Sequence, residues 1–125
     1  MFMTVWIIQG LLGLLFVITG CFKFFQSREK VIDSGGTWAE DFAPRVIKVI
    51  AGVELLSGLA VILPRLVGAG IYLIFIGSTT IALIMIGAIF THLRRKEYKH
   101  ALINVIFLLM ALFVAYAWRP GTLDL

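Results

Sequence analysis

The stretch Gly52-Val53-Glu54-Leu55-Leu56-Ser57-Gly58 decides how this chain folds, because it places a carboxylate inside an apolar segment that runs from Val46 to Leu63. A helix rising about 1.5 Å per residue over that length crosses most of the ~30 Å hydrocarbon core of a membrane, with Glu54 near its midpoint. A lone ionised carboxylate at that depth costs at least ~2.5 kcal/mol. Glu54 is therefore expected to be neutral, paired with a cation, or turned towards a wet cavity.

Small residues near Glu54 indicate which way its side chain points. Ser57 and Gly58 follow it by three and four positions and so share its helical face. Small side chains on one face let a neighbouring helix approach closely. The sequence therefore predicts that Glu54 and Ser57 face the interior of a helical bundle.

The composition is that of an integral membrane protein. The 125 residues are 61% hydrophobic, and the mean hydropathy is +1.02, which leaves too little polar surface for a soluble globule. The net charge of +4 does not indicate nucleic-acid binding, because the eleven Lys and Arg residues cluster beside apolar runs. Cys21 is the sole cysteine, which excludes an intramolecular disulfide and a multi-cysteine metal site.

Four apolar segments predict an all-α integral membrane four-helix bundle with antiparallel up-down helices, forming a single transmembrane domain over residues 1–125. The predicted spans cover residues 3–25, 46–63, 66–92 and 101–118. The first span has no cleavage pattern after a basic start and is expected to be retained. Pro64-Arg65 leaves almost no polar linker, so the second and third spans are expected to turn back on each other there.

The polar stretch from Gln26 to Pro44 is expected to lie outside the hydrocarbon, with Ser34-Gly35-Gly36 as its flexible centre. Thr37-Trp38-Ala39-Glu40 fits a capping box, which predicts a short interfacial helix reaching Phe42. Trp38 and Phe42 are interpreted as headgroup-level anchors, since aromatic belts are general at that depth.

The distribution of cations predicts the orientation in the membrane. Nine of the eleven Lys and Arg residues fall on the side of the two polar connections, and only Arg65 and Arg119 oppose them. The positive-inside rule then places both connections in the cytoplasm and both termini outside, with a bacterial inner (plasma) membrane as the expected location. The basic run from Arg94 to His100 is interpreted as part of this signal, with lipid headgroup binding as the alternative.

Three short motifs resemble the DoxX-like family of small membrane proteins. They are Thr19-Gly20-Cys21-Phe22-Lys23, Gly52-Val53-Glu54-Leu55-Leu56-Ser57-Gly58 and Gly87-Ala88-Ile89-Phe90-Thr91-His92. The resemblance covers nearly the whole chain and implies a four-helix membrane bundle. It also implies a link to quinone-dependent thiosulfate oxidation, oxidative-stress complexes or maturation of redox enzymes, although most members have no assigned reaction.

Polar residues along the spans predict one buried cluster. Its members are Lys23, Glu54, Ser57, Thr91, His92 and Asn104. Such a cluster could hold a quinone headgroup, with Lys23 or His92 donating to a carbonyl oxygen and Glu54 or His92 relaying a proton. Of the two histidines, His92 is assigned to the cluster and His100 to the solvated basic run. The hydroxyls of Ser78 and its neighbours are expected to bond back to their own helix.

The charge of Glu54 has two interpretations. Lys23 could pair with it, or the lysine could extend its ammonium to water and leave Glu54 neutral and facing a ligand or Asn104. The second interpretation is favoured, because Lys23 lies near a helix end.

Three function classes fit these observations. The leading class is a subunit of a membrane redox system that binds a lipophilic small molecule or acts as an accessory. The ligand is a quinone or another lipophilic small molecule, and the cofactor stays open, with quinone as its candidate. The alternative is an assembly or stabilising partner of another membrane protein, with a purely structural cluster. An autonomous enzyme or transporter is the weakest class. No side chain here carries electrons, so an enzyme would be a quinone-linked oxidoreductase with a partner. A transporter would normally show an inverted repeat, and none is evident. Expected partners are membrane lipid, another membrane protein and a second copy of the chain, without nucleic acid.

Overall fold

The computed structural model describes residues 2–120, and this part of the chain is helical apart from short connections. The helices are α1 (Phe2–Phe25), α2 (Arg28–Asp33), a 3₁₀ helix (Thr37–Asp41), α3 (Pro44–Val67), α4 (Tyr72–Arg94) and α5 (Tyr98–Ala117). By length and hydropathy, α1, α3, α4 and α5 can each cross a membrane. The predicted all-α membrane bundle is confirmed.

The four long helices form a closed ring. Helix α1 packs against α3, α3 against α4, α4 against α5, and α5 against α1. The α3–α4 turn, the start of α1 and the end of α5 lie at one end of the bundle, here called the termini end. The two polar connections lie at the other, the connection end. The outward faces are apolar on every long helix, as expected where lipid replaces water. Examples of strongly exposed apolar side chains are Ile7, Leu14, Leu56, Leu83, Ile106 and Leu109.

Glycine brings α1 and α3 into close contact. A Cβ at Gly20 would lie 2.7 Å from the backbone nitrogen of Leu55, and one at Gly58 would lie 2.8 Å from the carbonyl oxygen of Gly13. Neither position accepts a side chain without movement of a helix backbone. The two helices therefore pack backbone to backbone, the geometry that small residues permit in membrane bundles.

The turn between α3 and α4 lies later than predicted. Helix α3 continues through Pro64, which is buried within it, and ends at Val67, with Gly68 as its C-cap. Proline removes one hydrogen bond from the helix interior, but the Pro64 carbonyl still accepts the amides of Gly68 and Ala69 at 2.9 and 3.2 Å. The chain leaves the helix where Gly68 and Gly70 adopt φ of 73° and 69°, the left-handed region that glycine enters without a steric cost. The prediction of a turn at Pro64-Arg65 was wrong, because Pro64 stays within the helix and the chain turns at the two glycines.

The termini half of the bundle is filled by apolar side chains, including Leu12, Phe16, Ile74 and Ile81. Within it lies Gln9, which is completely buried. Its amide donates to the carbonyl of Val61 at 2.8 Å and accepts from the indole N–H of Trp118 at 2.9 Å. Sequence reasoning missed Gln9, although it precedes Leu12 and Phe16 by three and seven positions on the same helical face.

The connection between α1 and α3 is more ordered than predicted. Helix α2 begins at an N-cap in which the Ser27 hydroxyl accepts the Lys30 amide, a feature not anticipated. The short interfacial helix exists as a 3₁₀ turn, but its N-cap is Gly36 with no side-chain cap bond. The capping-box interpretation was therefore wrong. The Thr37 hydroxyl instead donates to Glu97, outside the connection.

Candidate functional site

A cavity of about 460 Å³ lies in the connection half of the bundle, between α3 and α4. Five of the six residues predicted for the polar cluster line it: Lys23, Glu54, Thr91, His92 and Asn104. The sixth, Ser57, is buried at the α3–α4 contact, where its carbonyl oxygen would lie 2.9 Å from a Cβ at Gly77.

Lys23 and Glu54 form an ion pair in the cavity wall. The Lys23 ammonium lies 3.2 Å from both oxygens of Glu54, and the two side chains expose 22% and 4% of their surface. The expectation that Lys23 would turn away to water was wrong. A Cα–Cβ bond in a helix tilts towards the N-terminus, so the lysine at the end of α1 points back into the bundle. Glu54, on the antiparallel α3, points towards the connection end and meets it.

Helix register explains why the lysine can reach the carboxylate. Glu54 lies near the middle of α3, yet Gly20 of α1 packs directly beside Leu55. Glu54 is therefore level with the last two turns of α1. Lys48, one turn from the start of α3, completes this junction by donating to the carbonyls of Phe24 and Gln26 at the end of α1.

Trp38 lies over the ion pair rather than serving only as an interfacial anchor. The Lys23 ammonium lies 5.1 Å from the centre of the Trp38 ring, a cation–π distance. Phe42 packs edge-on against Trp38, with ring centroids 5.8 Å apart. Both aromatic rings line the cavity. Trp38 in the 3₁₀ helix and Phe42 directly after it thus cover the connection end of the cavity. The interpretation of both residues as headgroup-level anchors did not anticipate this.

His92 contributes an imidazole held by a carboxylate. Its Nδ1 lies 2.7 Å from Oε1 of Glu97, and the other oxygen of Glu97 accepts from the Thr37 hydroxyl at 2.7 Å and from Arg95 Nε at 3.1 Å. Desolvation raises the pKa of Glu97, but the hydrogen bonds from His92, Thr37 and Arg95 together with the charge of Arg95 outweigh it and lower that pKa to about 2. Glu97 is therefore an ionised acceptor over the ordinary pH range.

Arg95 ties the 3₁₀ helix to the α4–α5 connection. Its two terminal nitrogens donate to Glu40 at 2.9 Å and Asp41 at 2.8 Å. Hydrogen bonds to Glu97, Glu40 and Asp41 raise the pKa of Arg95. Sequence reasoning treated the whole basic run as an orientation signal and missed this role of Arg95 and Glu97. A single acid inside a basic run, directly before a helix, was the available sign.

His100 lies against His92, a contact that sequence reasoning did not anticipate. The two rings stack with centroids 5.1 Å apart and an interplanar angle of 21°. His100 is nevertheless exposed and is not among the residues that line the cavity, whereas His92 is buried and lines it.

Two further polar groups reach the cavity. The Thr91 hydroxyl donates to the carbonyl of Gly87 at 2.9 Å, the back-bonding pattern also made by Ser78 and Thr80. Within residues 2–120, the Asn104 side-chain amide makes no hydrogen bond, although it is half-buried. Asn104 is thus a donor and acceptor pair available to a bound molecule.

The remaining cavity wall is apolar and open to the side of the bundle. Val49 and Leu83 line it while exposing 60% and 65% of their surface on the lateral faces of α3 and α4. Gly87 also lines it, and a Cβ there would meet no atom within 4 Å. The cavity therefore opens between α3 and α4 onto the surface that lipid contacts, and its polar groups lie inside.

Four apolar helices around a laterally open cavity with an internal polar end define a small multi-pass membrane protein. The family model described as the DoxX-like family matches residues 7–114, and the chain belongs to that family. No curated protein and no solved structure matches the chain.

Proposed function

We propose that this protein binds a lipophilic small molecule with a polar head, of the quinone type, and serves as an accessory subunit of a membrane redox system. The carrying observation is the cavity, which combines apolar, laterally open walls with a polar end made by Lys23, Glu54, His92 and Asn104. Its volume of about 460 Å³ falls within the range of about 300–1,000 Å³ typical of small-molecule sites.

The polar end suits an oxygen-bearing aromatic head. The Lys23 ammonium has three N–H donors and the Asn104 amide has two, so both can donate to ligand oxygens. The Trp38 ring supplies a flat surface for an aromatic head. The ligand's tail would leave between α3 and α4, alongside Val49 and Leu83.

An accessory role follows from what the cluster can do chemically. Lys23, Glu54 and His92 can bind, orient and exchange protons, but no side chain in the cavity carries electrons. Any oxidation or reduction of the ligand therefore requires a partner redox protein or a bound redox cofactor. We propose a bacterial inner membrane as its location, and the apolar composition and the uneven cation distribution support this proposal.

Quenching of Trp38 fluorescence tests the binding proposal. Menadione titrated into the purified protein in lipid nanodiscs is expected to bind saturably and quench the tryptophan emission. Trp38→Phe should remove most of the quenching while equilibrium dialysis still detects binding, because Trp6 and Trp118 lie at the termini end. Equal quenching in Trp38→Phe, or no saturable binding, would contradict the proposal.

A matched pair of variants separates the cavity from general effects on α4. Thr91→Val and Thr80→Val remove hydroxyls that bond to their own helix in the same way, but only Thr91 lines the cavity. Menadione binding should weaken in Thr91→Val and in Asn104→Leu, by roughly two- to tenfold for a lost hydrogen bond. Thr80→Val should bind like the wild type.

A second candidate function is an assembly or stabilising partner of another membrane protein. The ion pair between Lys23 and Glu54 favours this candidate. Each side chain already has its partner without a ligand, so setting the register of the helices would be a sufficient role for the pair. Stoichiometric co-purification with an unrelated membrane protein, without extractable quinone, would support this candidate against the first.

A further inference from the structure

The contact between Glu97 and His92 decides which ring nitrogen of His92 carries a proton. Oε2 of Glu97 already accepts from Thr37 and Arg95, and Oε1 lies 2.7 Å from Nδ1 of His92. An ionised carboxylate has acceptors only. Nδ1 must therefore be the donor in this contact, which holds the neutral imidazole in the tautomer protonated at Nδ1.

The other nitrogen, Nε2, is then an acceptor. Among residues 2–120 it has no hydrogen-bond partner, and it is not completely shielded, since no fully buried side-chain nitrogen or oxygen lacks a partner in that range. His92 lines the cavity. A ligand that reaches the ring from the cavity thus meets a lone pair and not an N–H.

We propose that Glu97 sets the tautomer of His92 and thereby makes the cavity prefer a head with a hydroxyl, such as a hydroquinone or phenol, over one with only carbonyl or ether oxygens. This inference rests on the proposed function, because it concerns the ligand of the same cavity. Glu97 acts through His92 and is a positioning residue.

The other polar groups are compatible with this preference. Lys23 and Asn104 donate to ligand oxygens, and a hydroxyl oxygen accepts as a carbonyl does. Only a hydroxyl can also donate to Nε2. A hydroquinone therefore satisfies groups that a quinone leaves without a partner.

Three probes under argon test the preference: menadiol, menadione and the dimethyl ether of menadiol. Measurements belong in mildly alkaline buffer, where unperturbed imidazole is neutral. Wild-type protein should bind menadiol roughly two- to tenfold more tightly than the ether, the contribution of one hydrogen bond. His92→Phe should abolish this difference, because Phe has no acceptor, while Glu97 keeps Thr37 and Arg95.

His100→Phe is the matched control. His100 stacks on His92 but is exposed and does not line the cavity. Its loss should leave the preference for menadiol unchanged. If His100→Phe and His92→Phe lowered the preference equally, the assignment of the acceptor to His92 would be wrong.

Glu97→Gln provides a test that does not depend on His92→Phe folding. Thr37 and Arg95 would keep the amide oxygen at the Oε2 position, which turns the NH₂ towards Nδ1 of His92. Nδ1 must then accept, so the proton moves to Nε2, and the preference for menadiol should be lost, because hydroxyl, carbonyl and ether oxygens can all accept from Nε2.

Histidine ¹⁵N chemical shifts report the tautomer directly, because the chain has two histidines and His100→Phe leaves one. Nδ1 should carry the proton in that background, and Nε2 once Glu97→Gln is added. A merely structural role for Glu97 would leave the tautomer unchanged and overturn the inference. Menadiol, menadione and ether binding alike would overturn only the inference, whereas no binding of any probe would overturn the proposed function as well.

Discussion

At the scale of single residues, the Lys23–Glu54 pair shows how charge is tolerated in this bundle. Each group would be costly alone in an apolar surrounding, and together they lie 3.2 Å apart with Trp38 over the ammonium. Lys23 keeps 22% of its side chain exposed, so its desolvation is incomplete. We therefore expect the contribution of the pair to the free energy of unfolding to lie between that of a surface ion pair and that of a fully buried pair.

Glu54→Gln should destabilise the protein, because it leaves the Lys23 ammonium without a counter-charge. We expect a loss of about 2 kcal/mol in the free energy of unfolding, between the values for exposed pairs and for broken buried pairs. Unfolding by SDS titration in mixed micelles measures it. Glu29→Gln, at an exposed acid in α2, is the control and should be nearly silent.

The double variant Lys23→Met with Glu54→Leu removes both charges and should recover much of that loss, since apolar pairs replace buried ion pairs well. Full stability of Glu54→Gln alone would indicate instead that Glu54 is neutral and donates a hydrogen bond, the state that sequence reasoning favoured.

At the scale of elements, contact between α1 and α3 sets the register on which the site depends. Gly13 and Gly20 on α1 and Gly58 on α3 bring the two backbones together. Because Gly20 lies beside Leu55, Lys23 falls within reach of Glu54, one residue earlier. A shift of α1 along α3 would separate the ion pair and remove the lysine from the cavity.

Gly20→Ala should weaken this contact, and Gly10→Ala is its matched control on the same helix. A Cβ at Gly20 would lie 2.7 Å from the nitrogen and 2.9 Å from the Cα of Leu55, whereas a Cβ at Gly10 meets no atom within 4 Å. We expect Gly20→Ala to cost about 1–3 kcal/mol through forced separation of the helices.

Gly10→Ala should be neutral or stabilising by up to about 1 kcal/mol, because alanine favours helix over glycine. SDS-induced unfolding of both variants provides the comparison. If the two variants were equally stable, the α1–α3 contact would accept a Cβ at Gly20 without a loss in the free energy of unfolding.

At the scale of the whole molecule, the two halves of the bundle differ in the side chains that lie between the helices. The termini half holds the apolar core and the Gln9–Trp118 hydrogen bond. The connection half holds the cavity, covered by the 3₁₀ helix that Arg95 and Glu97 tie to the α4–α5 connection. Nine of the eleven Lys and Arg residues lie at this end. We therefore expect the cavity to lie nearer the cytoplasmic side.

Cysteine labelling tests that orientation in a Cys21→Ser background. Ser34→Cys, in the first connection, should react with a membrane-impermeant maleimide only in inverted vesicles. Ala69→Cys, in the α3–α4 turn, is the matched control and should react in intact cells, since both positions are exposed but at opposite ends. Labelling of Ser34→Cys from outside would reverse the proposed topology.

The sequence by itself determined the class of the molecule. Four apolar segments, short linkers and a carboxylate among small residues predict an antiparallel membrane bundle with Glu54 turned inward, since these features depend on hydropathy and helical spacing. Local rules also predicted the back-bonding of Ser78 and Thr80, because those partners lie within one turn.

Only the tertiary structure decided which polar groups meet. Lys23 and Glu54 are 31 positions apart, Thr37 and Glu97 are 60 apart, and Gln9 and Trp118 are 109 apart. Each contact depends on the relative register of two helices and on the tilt of side chains towards a helix N-terminus. That tilt turns Lys23 into the bundle rather than out to water, and hydropathy alone contains no information about it.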